Sequence, residues 1–388
     1  MVKKMNTGAA RRLTGKEKLA CRELWEEVFT EDSREFLDYY DKWKYEENEC
    51  YGIYHGDKLV SMLQMNPYGM EIQPSKSGQS KRVESRYIIA VATRKEYRHR
   101  GLMRKLLKKS LSDMQIQRIP FVFLMPAAEA IYRPFEFRYF YEMNTGTLET
   151  KNGQRALETG RKPEVRQAEA SDIVKLVDFA EKIQRELFDC YIRRDCFYYE
   201  RLLEELKSED GALLVLTEGE RIVAAVPYWG KAPVEIRELL CRPCDREQVF
   251  AALARWFGER QEGGRKEISV EGSSIPLEKK KPVMMGRIVD VISFLELFWA
   301  ESPVELALEI SDEVLEENNG CYLWSLSPQG SVARRQEELL QVAEAAGQEG
   351  RIRCTVAELF SSLMGAAEPK GALCLARGCS HVYINEIV

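Results

Sequence analysis

Histidine is scarce in this chain, three among 388 residues. Cys241 and Cys244 form a CxxC, but no second pair and no nearby histidine completes a zinc set around it. The ten cysteines are therefore expected to act mostly as small buried hydrophobes in a reducing compartment. Long apolar runs are also missing. The most apolar stretch, Val289 to Ala300, is interrupted by Asp290 and Glu296, and a bilayer span needs about 20 predominantly apolar residues. Excess positive charge is absent too. The net charge of -5 argues against a nucleic-acid binder, which usually carries a basic face, and it suits a cationic substrate. The opening segment MVKKMNTGAARRLTGKEK is basic with no apolar core behind it, unlike a secretory signal. A cytoplasmic protein with no membrane or nucleic-acid partner is expected. No short repeat and no low-complexity tract is present.

What is there reads as globular: 45% hydrophobic and 31% charged residues, in a chain long enough for about two or three domains. Leu19, Leu24, Val28 and then Phe36, Leu37, Tyr40 recur at helical spacing, predicting two helices over 14–45. Trp25, Phe29, Phe36 and Trp43 on them are read as core. Strands are predicted at Cys50–Tyr54 and Leu59–Met65, with His55-Gly56-Asp57 as the turn. The polar run 74–82 is a loop, and Tyr87–Thr93 a buried strand. Leu102, Met103, Leu106, Leu107, Leu111 and Met114 mark one face of a helix. A strand at Ile119–Met125 and an aromatic strand region at Phe135–Met143 follow. This order predicts an α/β sheet with one face of helices. Residues 151–163 read as a linker and 278–282 (EKKKP) as a second exposed segment, giving units of 1–150, 151–282 and 283–388. The second unit carries strands at Ala212–Leu216 and Ile222–Tyr228 and a helix near Gln248–Glu259. The third ends in the apolar run Val382–Ile387.

The stretch Val91 to Met103 (VATRKEYRHRGLM) carries the most chemistry. A buried strand enters a basic loop, and the loop opens a helix. First-turn helix amides have no intrahelical partner and stand at the positive end of the helix dipole, so they bind phosphate oxygens. Gly101 permits close backbone approach, and Arg98 and Arg100 add charge that can grip phosphate bidentately. Strand, basic turn and helix together predict a pyrophosphate cradle. His99, inside that loop, is read as a loop residue rather than a catalytic base.

This stretch resembles motif A of the GNAT acetyltransferase superfamily, Arg/Gln-x-x-Gly-x-Gly/Ala. Arg98 and Gly101 match, and Met103 stands where a small residue is usual. The resemblance implies acetyl-CoA as acyl donor. It implies that Val91, Ala92 and Thr93 face the pantetheine arm, and that amides of His99, Arg100, Gly101, Leu102, Met103 and Arg104 bind the pyrophosphate, beside Arg98.

A second segment, Ala130-Ile-Tyr-Arg-Pro-Phe-Glu-Phe137, resembles the Ile-Tyr-x-x-Phe-Gly-Phe/Tyr segment of the Eis (enhanced intracellular survival) family, with Glu136 in place of glycine. Lys281 to Val291 resembles that family's entry into its third domain. The resemblance implies two tandem GNAT-like domains, the second degenerate, and a sterol-carrier-like α/β domain at the C-terminus. The comparable loop of the second unit, Cys241 to Gln248, lacks the glycine. The resemblance further implies Tyr132 as general acid and the terminal carboxylate of Val388 as general base. Implied acceptors are amines such as aminoglycosides, polyamines or lysine ε-amines, and the implied assembly is a homo-oligomer, often a hexamer. No metal is expected. The competing reading is a non-catalytic acyl-CoA sensor or lipid-binding protein.

Overall fold

The computed structural model describes residues 8–73, 80–150, 163–230, 233–260, 267–336 and 351–386. Residues 74–79 of the expected 74–82 loop and 151–162 of the expected 151–163 linker lie outside them; Lys81 and Arg82, expected in the loop, belong to a strand.

Two helices open the chain, α1 (Leu19–Val28) and α2 (Arg34–Trp43). The Ser33 hydroxyl starts α2 by accepting the Phe36 amide at 3.1 Å, which satisfies one of the helix's orphan donors. Strands β1 (Glu49–His55), β2 (Lys58–Ile72) and β3 (Lys81–Thr93) form an antiparallel meander. Gly56 turns the first corner in the left-handed region, φ 59°. Helix α3 (Leu102–Ile116) then crosses to β4 (Phe121–Leu124), parallel to β3. A short helix α4 (Glu129–Tyr132) leads into β5 (Arg138–Glu149).

Helices cover both faces of this sheet, not the one face the pattern suggests. Met62, Ile89 and Ala92 pack with Leu24 and Trp25 of α1, whereas Leu63, Met65 and Ile88 pack with Leu106 and Leu107 of α3. The sequence signal is the near-continuous apolar run, which marks a strand buried on both sides.

The second unit brings β6 (Cys190–Ile192), β7 (Ala212–Glu218), β8 (Arg221–Trp229) and β9 (Glu267–Val270). Its helices are α5 (Ile173–Leu187), α6 (Cys196–Ser208) and α7 (Arg246–Arg260). Strand β9 pairs with the far half of β5, Ile268 opposite Leu148, so one sheet runs through both units.

Residues 278–282 are exposed as expected but are no mere connector. They open strand β10 (Lys279–Ile288), which lies between β4 and β5 in the first sheet and straddles the expected 282/283 division. Pro282 sits at a register shift, where a missing N–H is tolerated. A Cβ on Gly286 would come within 2.5 Å of Phe360, because α9 packs directly on β10.

The third unit contributes α8 (Val291–Leu295), then β11 (Val304–Ser311), β12 (Gly320–Ser327), β13 (Gly330–Arg335), β14 (Arg351–Thr355) and α9 (Val356–Leu363). The four strands form a separate sheet in the order β13-β12-β11-β14. It is pinned to the first unit by a fully buried pair, Arg287 to Asp312 at 2.6 Å. Arg287 also donates to the Phe135 carbonyl at 2.8 Å. The chain returns as β15 (Val382–Tyr383), parallel to β6. Among the described residues, no helix is long and apolar enough to cross a membrane.

Candidate active site

Strands β3 and β4 pair only at Arg86–Val122, Tyr87–Phe123 and Ile88–Leu124. Beyond Ile88, β3 runs on to Thr93 while β4 stops at Leu124. The result is a gap edged by the backbone of Val91, Ala92 and Thr93. A bulge lies at this point: the β2–β3 register shifts between Met62 and Gln64, and Ala90 takes φ 49°. A bulge re-aims backbone groups out of the ladder.

The loop after β3 is held from behind. Arg94, which the sequence does not mark out, is buried and donates to the Leu59 carbonyl at 2.8 Å, to Glu23 at 2.6 Å and to Glu27. Arg98 folds back, its Nε donating to the Thr93 carbonyl at 3.0 Å. Arg100 donates to the Glu96 carbonyl at 2.8 Å, and its guanidinium lies over the Tyr97 ring. Tyr97 is fixed in turn by a 2.9 Å hydrogen bond between its hydroxyl and His55 Nδ1.

His99 and Gly101 both take left-handed conformations, φ 60° and 72°. Gly101 is the N-cap of α3, and no side chain caps the helix. The first amides of α3 thus lack an intrahelical acceptor. A Cβ on Gly101 would meet no atom within 4 Å, so the space before the helix is open. Loop, uncapped helix and open space fit a diphosphate bound through backbone amides. Val91–Thr93 edge the strand gap, and Arg98–Arg104 run through the turn into α3.

The Arg104 guanidinium sits 4.9 Å from the Phe135 ring centroid, which links the cradle to the Tyr132 segment. Tyr132 ends α4 just past β4. It is buried, packs edge-on to Phe137, and makes no hydrogen bond through its hydroxyl among the described residues. Burial pushes its phenol up to about 12, so the hydroxyl holds its proton at neutral pH.

Val388 lies outside the described residues. The tail reaches the site's vicinity two residues earlier. Tyr383 stacks on Phe188 at 4.4 Å, Asn385 donates to the Arg237 carbonyl at 3.1 Å, and Glu386 accepts from the Tyr68 hydroxyl at 3.0 Å. The Tyr68 ring packs on Tyr87 and Phe123, one residue pair before the strands part. Tyr68, Tyr87 and Phe123 belong to the cluster on the α1 face, and Tyr132 to that on the α3 face. The tail and Tyr132 thus approach the strand gap from opposite sides of the sheet.

Known proteins agree with this geometry. Residues 9–140 match the acetyltransferase (GNAT) domain family, and residues 291–377 match the sterol carrier protein domain family. No curated protein sequence matches the chain. Among solved structures, a probable N-acyltransferase of unknown function from Enterococcus faecalis V583 superposes with TM-score 0.75 at 18% identity, covering 96% of this chain and 94% of that one. A GCN5-related N-acetyltransferase from Anabaena variabilis gives 0.73 at 15%, with the same coverage. Eis1 from Mycobacterium abscessus gives 0.66 at 14%, covering 98% of this chain and 100% of that one. Residues 9–140 thus form a GNAT-type acetyltransferase domain, a class that uses acyl-CoA. The chain's fold is the Eis-like one, tandem GNAT-like units followed by a sterol-carrier-like domain.

Proposed function

We propose that the chain transfers an acetyl group from acetyl-CoA to a primary amine by direct attack, with Tyr132 as general acid and the Val388 carboxylate as general base. The observation that carries this reading is the convergence at the strand gap. The uncapped start of α3 is linked through Arg104 and Phe135 to the Tyr132 segment, and Glu386 of the tail bonds Tyr68, which packs beside the last paired residues of β3 and β4.

A lysine-like amine has a reference pKa near 10.4 and must lose a proton before it attacks. An α-carboxylate, with a reference pKa of about 3.3–3.7, is ionised at neutral pH; through a positioned water it takes that proton. The nitrogen attacks the thioester carbonyl. Backbone N–H groups at the Ala90–Val91 bulge stabilise the oxygen that becomes negative. The C–S bond then breaks, the leaving thiolate takes the Tyr132 proton, and the second proton shed by the nitrogen as it becomes an amide returns through water to the phenol. Aminoglycosides, polyamines and lysine ε-amines are the acceptors to try, and a homo-oligomer in the cytoplasm is the setting.

The test is thiol release from acetyl-CoA against an amine panel that includes an aminoglycoside. The native chain is compared with one extended by a few residues beyond Val388. Turnover by the native chain alone supports both the reaction and the terminal base. Equal turnover by both removes Val388 from the mechanism. No thiol release with any amine favours the acyl-CoA-sensing or lipid-binding reading.

A further inference from the structure

A cavity beside the tail carries a charge pattern that acyl transfer alone does not require. Its lining includes Tyr198, Arg201, Glu205, Trp229, Arg237 and Glu386. Arg201 is buried, and its Nε has no hydrogen-bond partner among the described residues. Its ion pair with Glu386 is 3.8 Å long, beyond hydrogen-bond reach. Arg237 lies over Trp229, 3.6 Å from the ring centroid, with Nη1 3.4 Å from Glu235 and its buried Nη2 without a partner among the described residues. Glu386 uses Oε2 for Tyr68 and keeps Oε1 buried without a donor. Buried polar atoms left unpaired cost free energy, and native proteins seldom collect them in one place.

Both signs of charge are presented here. Glu238, which also lines the cavity, is occupied by Arg194 through two hydrogen bonds of 2.8 and 2.6 Å. Glu205 accepts from the Tyr39 hydroxyl at 2.7 Å. That leaves Arg201 Nε, Arg237 Nη2 and Glu386 Oε1 without partners among the described residues, on three residues that line the cavity. Arg201 also stands 5.8 Å from the Tyr68 ring, on the route from the cavity to the strand gap. Lys44 stands 4.8 Å from the same ring, buried, with no partner for its Nζ. A polyamine would bring several positive charges against Arg201, Arg237 and Lys44, and like charges brought together are costly. A molecule with one anionic and one cationic end meets a partner for each.

Building on the acetyltransferase reading, we propose that the acceptor is an amine that also carries a carboxylate. Arg201 and Arg237 hold the carboxylate, and the amine extends past Glu386 and Tyr68 towards the strand gap. The arginines act in substrate selection and take no part in the proton transfers.

Paired acceptors that differ only in the carboxylate test this: lysine against cadaverine, and ornithine against putrescine, read as kcat/KM for thiol release by the full chain. The carboxylated member is expected to be favoured by about tenfold or more, the effect of one hydrogen bond to a charged group. Arg237→Gln should shrink that ratio towards one, mainly through KM. Arg201→Gln should do the same wherever its melting curve shows a folded protein. The result that overturns the proposal is a decarboxylated amine used as well as its amino acid, or an Arg237→Gln loss shared equally by both members. In that case the amine chemistry stands and the arginines serve the protein itself. Silence with every amine overturns the acetyltransferase reading along with this one.

Discussion

The first and second units share a sheet and use the same strand-turn-helix step, yet their turns differ. In the first, the chain enters α3 through left-handed His99 and Gly101, with no side-chain cap and open space ahead of the helix. In the second, it passes from Leu240–Cys241 through a short 3-10 turn, Pro243–Asp245, into α7. No residue from Cys241 to Arg260 is left-handed. Asp245 is buried at that turn, its carboxylate accepting from the Gln248 side-chain amide at 2.9 Å. Cys241 is buried in the strand and Cys244 is exposed on the turn. The first unit leaves the start of α3 uncapped at the cost of a left-handed non-glycine residue, about 1–2 kcal/mol. The second makes its turn without one and carries a buried carboxylate there.

Removing the chemistry from the first unit should have the largest effect. Tyr132→Phe is expected to lower kcat by about 10²–10⁴, the usual worth of a positioned acid, with little change in KM for the donor. The hydroxyl bonds to no described residue, so the melting temperature should hardly move, and a kcat within a few-fold of wild type would remove Tyr132 from the mechanism. Next comes the backbone. Gly101→Val puts a β-branched residue at φ 72° and fills the open space before α3, so donor KM should rise about tenfold or more. Asp245→Asn in the second unit is the counterpart, and donor KM should stay unchanged. Equal effects at both turns would mean that the units do not differ as described. Smaller still is the charge on the loop. Arg98→Ala with Arg100→Ala should raise donor KM a few-fold at low salt and less at high salt, because both side chains are exposed and screened.

Much of the first unit was legible because its signals are local. The strand-loop-helix step, the apolar face of α3 and the buried tail at Val382–Ile384 each declare themselves within about a dozen residues. What escaped is long-range. Nothing in EKKKP reveals that β10 inserts between β4 and β5, since its lysines and proline read as a connector and its partners lie more than a hundred residues away. Arg94 looks like one more cation in a basic loop until α1 brings Glu23 and Glu27 to it. Arg201 comes from α6 and Arg237 follows Ile236, which pairs with Tyr228 of β8, and only the fold puts them in one cavity. Glu136 is the sharpest case, a carboxylate at a position that φ 64° makes natural for glycine.

Glu136 also yields the finest test of how the first unit is fastened to the third. Its carboxyl is buried beside Asp312 and accepts the Glu313 amide at 3.0 Å. Asp312 stays ionised against Arg287, with Asn318 and the Val314 and Leu315 amides bonded to it. Burial, and then the Asp312 carboxylate, push Glu136 up to about 7. A carboxyl raised above its unfolded value of 4.5 favours the fold fully below that value and loses the contribution as pH rises through 7. Glu136→Gln keeps an acceptor for Glu313 and a donor for Asp312, and it does not titrate. The variant should match wild type near pH 5 and exceed it near pH 8 by on the order of 1–3 kcal/mol, since each pH unit of displacement is worth about 1.4 kcal/mol. Urea unfolding at the two pH values measures the gap. A gap that stays constant with pH would show that Glu136 is ionised throughout and that Asp312 does not share its proton.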